Sequence, residues 1–427
     1  MYGIVYTGSM RYDSVRGGAF NATVVELGEG WITIAEKSSG KIPAYGALPC
    51  ALAPDKPLAT VSIDAALTEI AQQVGATVPV LPQRPGIDIL RRIPPRLKTL
   101  SAPVEPELVD GQAQVYPAVV KTLKDLDNSY LAVQGPPGTG KTFVASHVIR
   151  ELIDYGWKIG VVAQSHAVVE NVLRKAVEAG VDPEVVAKEV KHEDPVPWAG
   201  TSKESVVEVL DAPGGALIGG TAWTLTGSKV PAESLDLLVI DEAGQFSLAN
   251  TLAVSRAAKN LLLLGDPQQL PQVTQGTHPQ PVDESALGWL SGGEPVLPAE
   301  LGYFLAASWR MHPALCAKVS ALSYDHQLFS ADAAGLRVLE GTEAGVETVF
   351  VEHRGNTVSS MEEAEAIIRL VREHLGMLWS PGAGKPARPL AAADILVVAA
   401  YNAQVNLVRE VLEAEGLSAV RVGTVDK

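Results

Sequence analysis

Cysteine is scarce: 427 residues hold two, Cys50 and Cys316, far apart and in no metal-ligand pattern. That excludes a disulfide framework, predicts a reduced, cytoplasmic setting, and makes both small buried residues. Long apolar runs are missing too. The longest, Leu390 to Ala400, is too short to cross a bilayer and carries Asp394. The first residues show no charged segment followed by an apolar one, so no signal peptide is expected. Positive charge is in deficit, with 34 Lys and Arg against 49 Asp and Glu, a net charge of −15. A surface coated in positive charge is excluded, and any nucleic-acid site is confined to a local groove. Internal repeats and low-complexity tracts are absent.

What is present is a folded chain, 47% hydrophobic and long enough for two to four domains. Alternating runs, Thr23 to Leu27 and Trp31 to Ala35, lie between glycines and predict strands. Apolar residues at helical spacing predict a helix from about Ile63 to Val74. Residues 1–85 therefore read as a small β-barrel-like accessory domain, and the proline-rich stretch 86–110 as a stalk or linker. From 111 the pattern becomes β/α alternation. Strands are expected at Leu131–Val133, Ile159–Ala163, Ala216–Ile218, Leu237–Ile240 and Leu261–Leu264. Their near-continuous hydrophobicity fits a parallel sheet covered on both faces. That defines an α/β P-loop domain over 111–300, with 182–213 as a partly loop-like insertion. A second β/α set over 301–427 has expected strands at Thr348–Val351, Ile395–Ala399 and Val420–Gly423. Its helix, Met361 to Leu375, opens on a capping box at Ser360.

The strongest chemical signal is Gly135, Pro136, Pro137, Gly138, Thr139, Gly140, Lys141 and Thr142, the pattern G-x-x-x-x-G-K-[ST] between an apolar strand and a helix. Glycines let backbone N–H groups converge on phosphate oxygens at a helix N-terminus. Lys141 would reach the β- and γ-phosphates, and the Thr142 hydroxyl would bind Mg²⁺. The strand Leu237–Ile240 ends in Asp241 and Glu242. Asp241 would hold the Mg²⁺ shell, and Glu242 would orient or deprotonate the attacking water. Gln269, after the strand Leu261–Leu264, could sense the γ-phosphate. Arg310 has the chemistry of an arginine finger supplied from a neighbouring domain, although an arginine alone is more often a surface ion-pair partner.

The motifs run in order: Gln114 to Val119, the P-loop, Ala163 to His166, Gly220-Thr221, Asp241 to Gln245, Gly265 to Leu270, Trp309 to Pro313, Tyr401 to Gln404, and Gly423 to Lys427. From about residue 108 to its end the chain resembles the superfamily 1 helicases of the 5′→3′ (type B) branch, the group of the nonsense-mediated-decay helicase. It also looks like the helicase half of bacterial fusions with a RecB-like nuclease. The resemblance implies tandem RecA-like domains, with ATP and Mg²⁺ held between them. Gln114 would read the adenine edge and Tyr401 would stack on the base. Ser165, His166, Thr221 and Thr424 would touch the nucleic-acid backbone. The implied partner is single-stranded nucleic acid, DNA favoured over RNA, with a monomeric chain and a nuclease domain in the intact protein. Two departures stand out. Trp309 replaces the usual tyrosine, and the sequence stops at Lys427 inside a motif that normally continues. The second RecA-like domain is therefore expected to be incomplete. The alternative reading is an ATP- and nucleic-acid-binding fragment with little turnover.

Overall fold

The computed structural model describes residues 2–10, 16–28, 31–36, 51–54, 59–109, 112–190, 192–271, 278–382 and 384–425. Cys50 lies outside them. The chain forms two compact units, residues 1–61 and 62–427. In the first, β1 (Tyr2–Met10), β2 (Arg16–Gly28), β3 (Trp31–Glu36) and β4 (Ala51–Pro54) form an antiparallel sheet in the order β3-β2-β1-β4.

The helix expected near Ile63 is α1 (Val61–Thr77). It packs with the second unit, so the accessory unit ends earlier than residue 85. Ile63 and Ala66 enter the main core, and Glu69 pairs with Arg256 at 2.6 Å. The stretch expected as a linker also contributes structure. Pro85 opens a buried helix, α2 (Pro85–Arg91), which Arg92 ends in the left-handed conformation. Proline suits a first helical turn, where its missing N–H costs nothing. Buried Asp88 holds α2 in place through Ser129 Oγ, which donates at 2.7 Å, and through Arg96. A short hairpin, β5 (Glu107–Val109) and β6 (Gln112–Gln114), leads into α3 (Val115–Asp125).

The central sheet has seven parallel strands. They are β7 (Tyr130–Gln134), β8 (Lys158–Val162), β9 (Val186–Ala187), β10 (Ala216–Gly220), β11 (Leu235–Ile240), β12 (Ala258–Gly265) and β13 (Gly302–Phe304), in the order β13-β7-β12-β11-β8-β10-β9. Alternate residues sort to opposite faces. Leu237 and Val239 join one core, and Leu238 and Ile240 the other. This two-sided burial is why these strands read as unbroken apolar runs. Around the sheet lie α4 (Lys141–Asp154), α5 (His166–Glu178), α6 (Lys203–Asp211), α7 (Ala222–Leu225), α8 (Leu248–Ser255) and α9 (Ala286–Ser291). The stretch 182–213, expected as an insertion, supplies the edge strand β9 and helix α6.

Residue 301 does not divide two domains, because β13 pairs with β7 in the first sheet. Beyond it, β14 (Ala307–Ser308), α10 (Pro313–Ser323), β15 (Phe329–Ser330) and α11 (Asp332–Gly335) form a module around Met311, Cys316, Tyr324 and Leu328. Then β16 (Val338–Leu339), β17 (Leu378–Ser380) and β18 (Arg388–Pro389) make a small antiparallel sheet. Finally α12 (Met361–His374), β19 (Leu396–Val398), α13 (Asn402–Ala414) and β20 (Arg421–Gly423) form a lobe with its own core, including Ile368, Val405, Val408 and Leu412. Ser360 Oγ accepts from Glu363 N at 3.2 Å and caps α12, and the Gln404 amide bonds both backbone groups of Ser360. Thr348–Val351 is not a strand: no ladder includes it, and Phe350 is 92% exposed.

Candidate nucleotide-binding site

The P-loop follows β7 directly. Gly135 N donates to Gly265 O at 2.8 Å, tying the loop to the end of β12. Gly138 and Gly140 take φ of +79° and +90°, where a Cβ is strained. Thr139 Oγ1 donates to Pro136 O at 2.8 Å, and α4 starts at Lys141. The Lys141 ammonium bends back over the loop and donates to Gly135 O at 2.8 Å. A side chain at Gly135 would meet Lys141 Cγ at 2.4 Å, so the cradle needs glycine there.

Asp241 stands at the end of β11 and is 5% exposed. Burial pushes its carboxyl up to about 6 and the Glu242 charge adds to this, while the Glu242 N–H and the Lys141 ammonium oppose it. A carboxylate buried in this way, beside the Glu242 charge and near the Lys141 ammonium, suits a divalent ion. With the Thr142 hydroxyl it offers the hard oxygen donors that Mg²⁺ takes, one or two protein ligands beside substrate phosphates. Glu242 has φ +52°, a left-handed angle for a residue with a side chain. Gln245 N and Phe246 N hold that turn by donating to its carbonyl at 2.7 and 3.0 Å. Gln269 is half-buried on the turn after β12, and its N–H donates to Asp266 O at 3.3 Å.

Arg310 touches the P-loop. Trp309 N donates to Gly138 O at 2.8 Å, and Ser308 Oγ donates to Pro137 O at 3.1 Å. A Cβ on Gly138 would lie 2.2 Å from Arg310 Cβ. Arg337 donates to the carbonyls of Trp309 and Arg310 and fixes the segment from outside. The finger expected from the second domain thus sits on the module that packs against the P-loop, and not on the α12–β20 lobe. The reason is β13, which carries the chain back into the first sheet just before Arg310.

Two family models, each described as "AAA domain", match residues 107–285 and 297–427. Three relatives each match about two thirds or more of the chain. They are the "DNA replication ATP-dependent helicase/nuclease JHS1" of Arabidopsis thaliana (25% identity, 73% of this chain, 24% of the relative), the "DNA-binding protein SMUBP-2" of Rattus norvegicus (25%, 66% and 34%) and the "DNA replication ATP-dependent helicase/nuclease DNA2" of Gallus gallus (21%, 78% and 34%). Together these matches support a superfamily 1 helicase. The chain spans about a quarter to a third of the length of these relatives. Among its described residues no helix is long and apolar enough to cross a membrane.

The remaining candidate positions fall into two groups. Ser165 caps α5, accepting from Val168 N at 3.3 Å; His166 begins that helix, and Thr221 precedes α7. These three follow β8 and β10, adjacent parallel strands, so they share one sheet edge with the P-loop and Asp241. Thr424 follows β20 as Thr221 follows β10: Gly423 pairs with Val398 and Gly220 with Val162, each in a parallel β-α-β unit. Tyr401 is exposed at the start of α13 on the far lobe. Gln114 is half-buried at the start of α3, and Tyr116, two residues on, packs against Phe143 and His147 beside the P-loop. Sequence reasoning missed Gln134, Asp266 and Tyr324. Asp266-Pro267 reads as a simple turn, and partners 58 to 132 residues away leave no local signal.

Proposed function

We propose that this chain binds ATP with Mg²⁺ and couples its hydrolysis to movement along single-stranded DNA in the 5′→3′ direction. The observation that carries the reading is the packing of Ser308–Arg310 onto Gly138, beside the acidic pair at the end of β11. A triphosphate in the loop would draw the Lys141 ammonium from Gly135 O to its β- and γ-oxygens. Bound Mg²⁺ would supply charge neutralisation between those oxygens, with Thr142 and Asp241 as its protein ligands. Glu242 would orient the attacking water, and Gln269 would sense the terminal phosphate. Arg310 would offset charge developing on the transferred group. Gln114 and Tyr401 would contact the base, the second from the α12–β20 lobe. Ser165, His166, Thr221 and Thr424 would grip the strand backbone from the two lobes, so that closing and opening becomes a step.

DNA is preferred over RNA because the relatives' names specify DNA. Two of those names also include a nuclease, which supports a nuclease portion in the intact protein. The test is ATP hydrolysis with and without single-stranded DNA, in wild-type and Lys141→Ala protein. DNA-stimulated turnover that Lys141→Ala abolishes is expected. Turnover indifferent to DNA would remove the translocase, and turnover indifferent to Lys141 would remove the site.

A further inference from the structure

Asp266 is 1% exposed, yet among the described residues no cationic side chain pairs with it. Its carboxylate is satisfied by three neutral donors. Tyr324 Oη donates to Oδ2 at 2.6 Å, and Gln268 N and Gln134 Nε2 donate to Oδ1 at 3.2 and 3.4 Å. A buried carboxylate that depends on neutral donors loses heavily when one is withdrawn. Burial and the adjacent Asp266 charge push the Tyr324 phenol far above its ordinary range, so it remains a donor.

Each donor comes from a different part of the site. Gln134 is the last residue of β7, immediately before the P-loop, and its Oε1 also accepts from Leu297 N at 2.6 Å. Gln268 precedes Gln269 on the turn after β12. Tyr324 caps the end of α10, the helix that starts three residues after Arg310. Tyr324 shares a small core with Met311, the neighbour of Arg310 in sequence, and its ring lies 6.1 Å from that of Phe304. One helix thus joins the Tyr324 hydroxyl to the segment bearing Arg310, and one carboxylate joins that hydroxyl to the turn bearing Gln269.

We propose that Tyr324 is a positioning residue, which through Asp266 locks the Arg310 segment to the Gln269 turn so that both face the same phosphate. This rests on the ATP-hydrolysing reading given above. Phenylalanine at 324 keeps the ring and its packing and removes only the donor.

The experiment compares Tyr324→Phe with Leu328→Ala, which loosens the same small core without touching the hydroxyl. Nucleotide Kd, kcat for ATP and thermal midpoint are measured for each. The expected result is a kcat about ten-fold lower in Tyr324→Phe, with Kd within about two-fold of wild type. Leu328→Ala should lower the thermal midpoint and leave kcat near wild type. An unchanged kcat in Tyr324→Phe overturns the proposal. So does a fall in kcat that tracks the thermal midpoint equally in both variants, since packing alone would then account for it. If wild-type and Lys141→Ala protein bind nucleotide equally well, the nucleotide site itself is wrong, and the coupling falls with it.

Discussion

Replacing Asp241 with asparagine should make the nucleotide-free protein more stable and, at the same time, unable to hold Mg²⁺. The carboxyl titrates at about 6 in the folded chain against an ordinary 3.8. An acid whose folded value is raised binds more protons in the folded state than in the unfolded one. Stability therefore falls as pH climbs from about 4 to about 6, and the loss is complete above that window. The difference is about 2 pH units, which at about 1.36 kcal/mol per unit is about 3 kcal/mol. Asparagine has nearly the same shape and carries no charge, so Asp241→Asn should recover most of that. Thermal unfolding of both proteins without nucleotide, from pH 5 to pH 8, is the assay. The gap should widen between pH 5 and pH 7 and then level off, with the variant several degrees higher. Adding Mg²⁺ and ADP should then reverse the order, because the wild-type charge gains its cation and the variant gains little. A variant that is less stable than wild type at pH 8 without nucleotide would refute the picture of a strained, cation-seeking carboxylate.

Gly138→Ala should disturb turnover more than nucleotide affinity. Its Cβ has no room beside Arg310 and its φ is unfavourable, so the arginine must move; steady-state kinetics beside equilibrium binding reads this. Arg310→Ala should bind nucleotide normally and lose on the order of 10³-fold in turnover, the scale of an arginine finger. Unchanged turnover would exclude Arg310 from the chemistry. Ser360→Ala removes the cap of α12 and should cost about 1 kcal/mol in denaturant unfolding of that lobe, with ATP affinity unaltered.

The parts legible in the sequence are those set by local rules. β7, β8, β11 and β12 were readable because burial on both faces forces continuous apolar runs. The P-loop was readable because the need for positive φ and close approach leaves only glycine at fixed positions. Thr348–Val351 has strand-like composition, but a strand exists only with a hydrogen-bonding neighbour, and none reaches this segment. The helix α2 was hidden because proline at a first turn and proline in a linker look alike in sequence. The seat of Arg310 was hidden for a topological reason. Residues 302–304 return to the edge of the first sheet, and three residues of pairing give too short a signal to announce it.

Glu242 carries a further consequence. Its backbone angle is one that glycine or asparagine adopts with less strain, whereas the role proposed for it requires a carboxylate. Foldability and chemistry therefore pull position 242 toward different amino acids. Mutants chosen only for hardiness would drift to glycine there, looking healthy in every solubility screen while being catalytically inert.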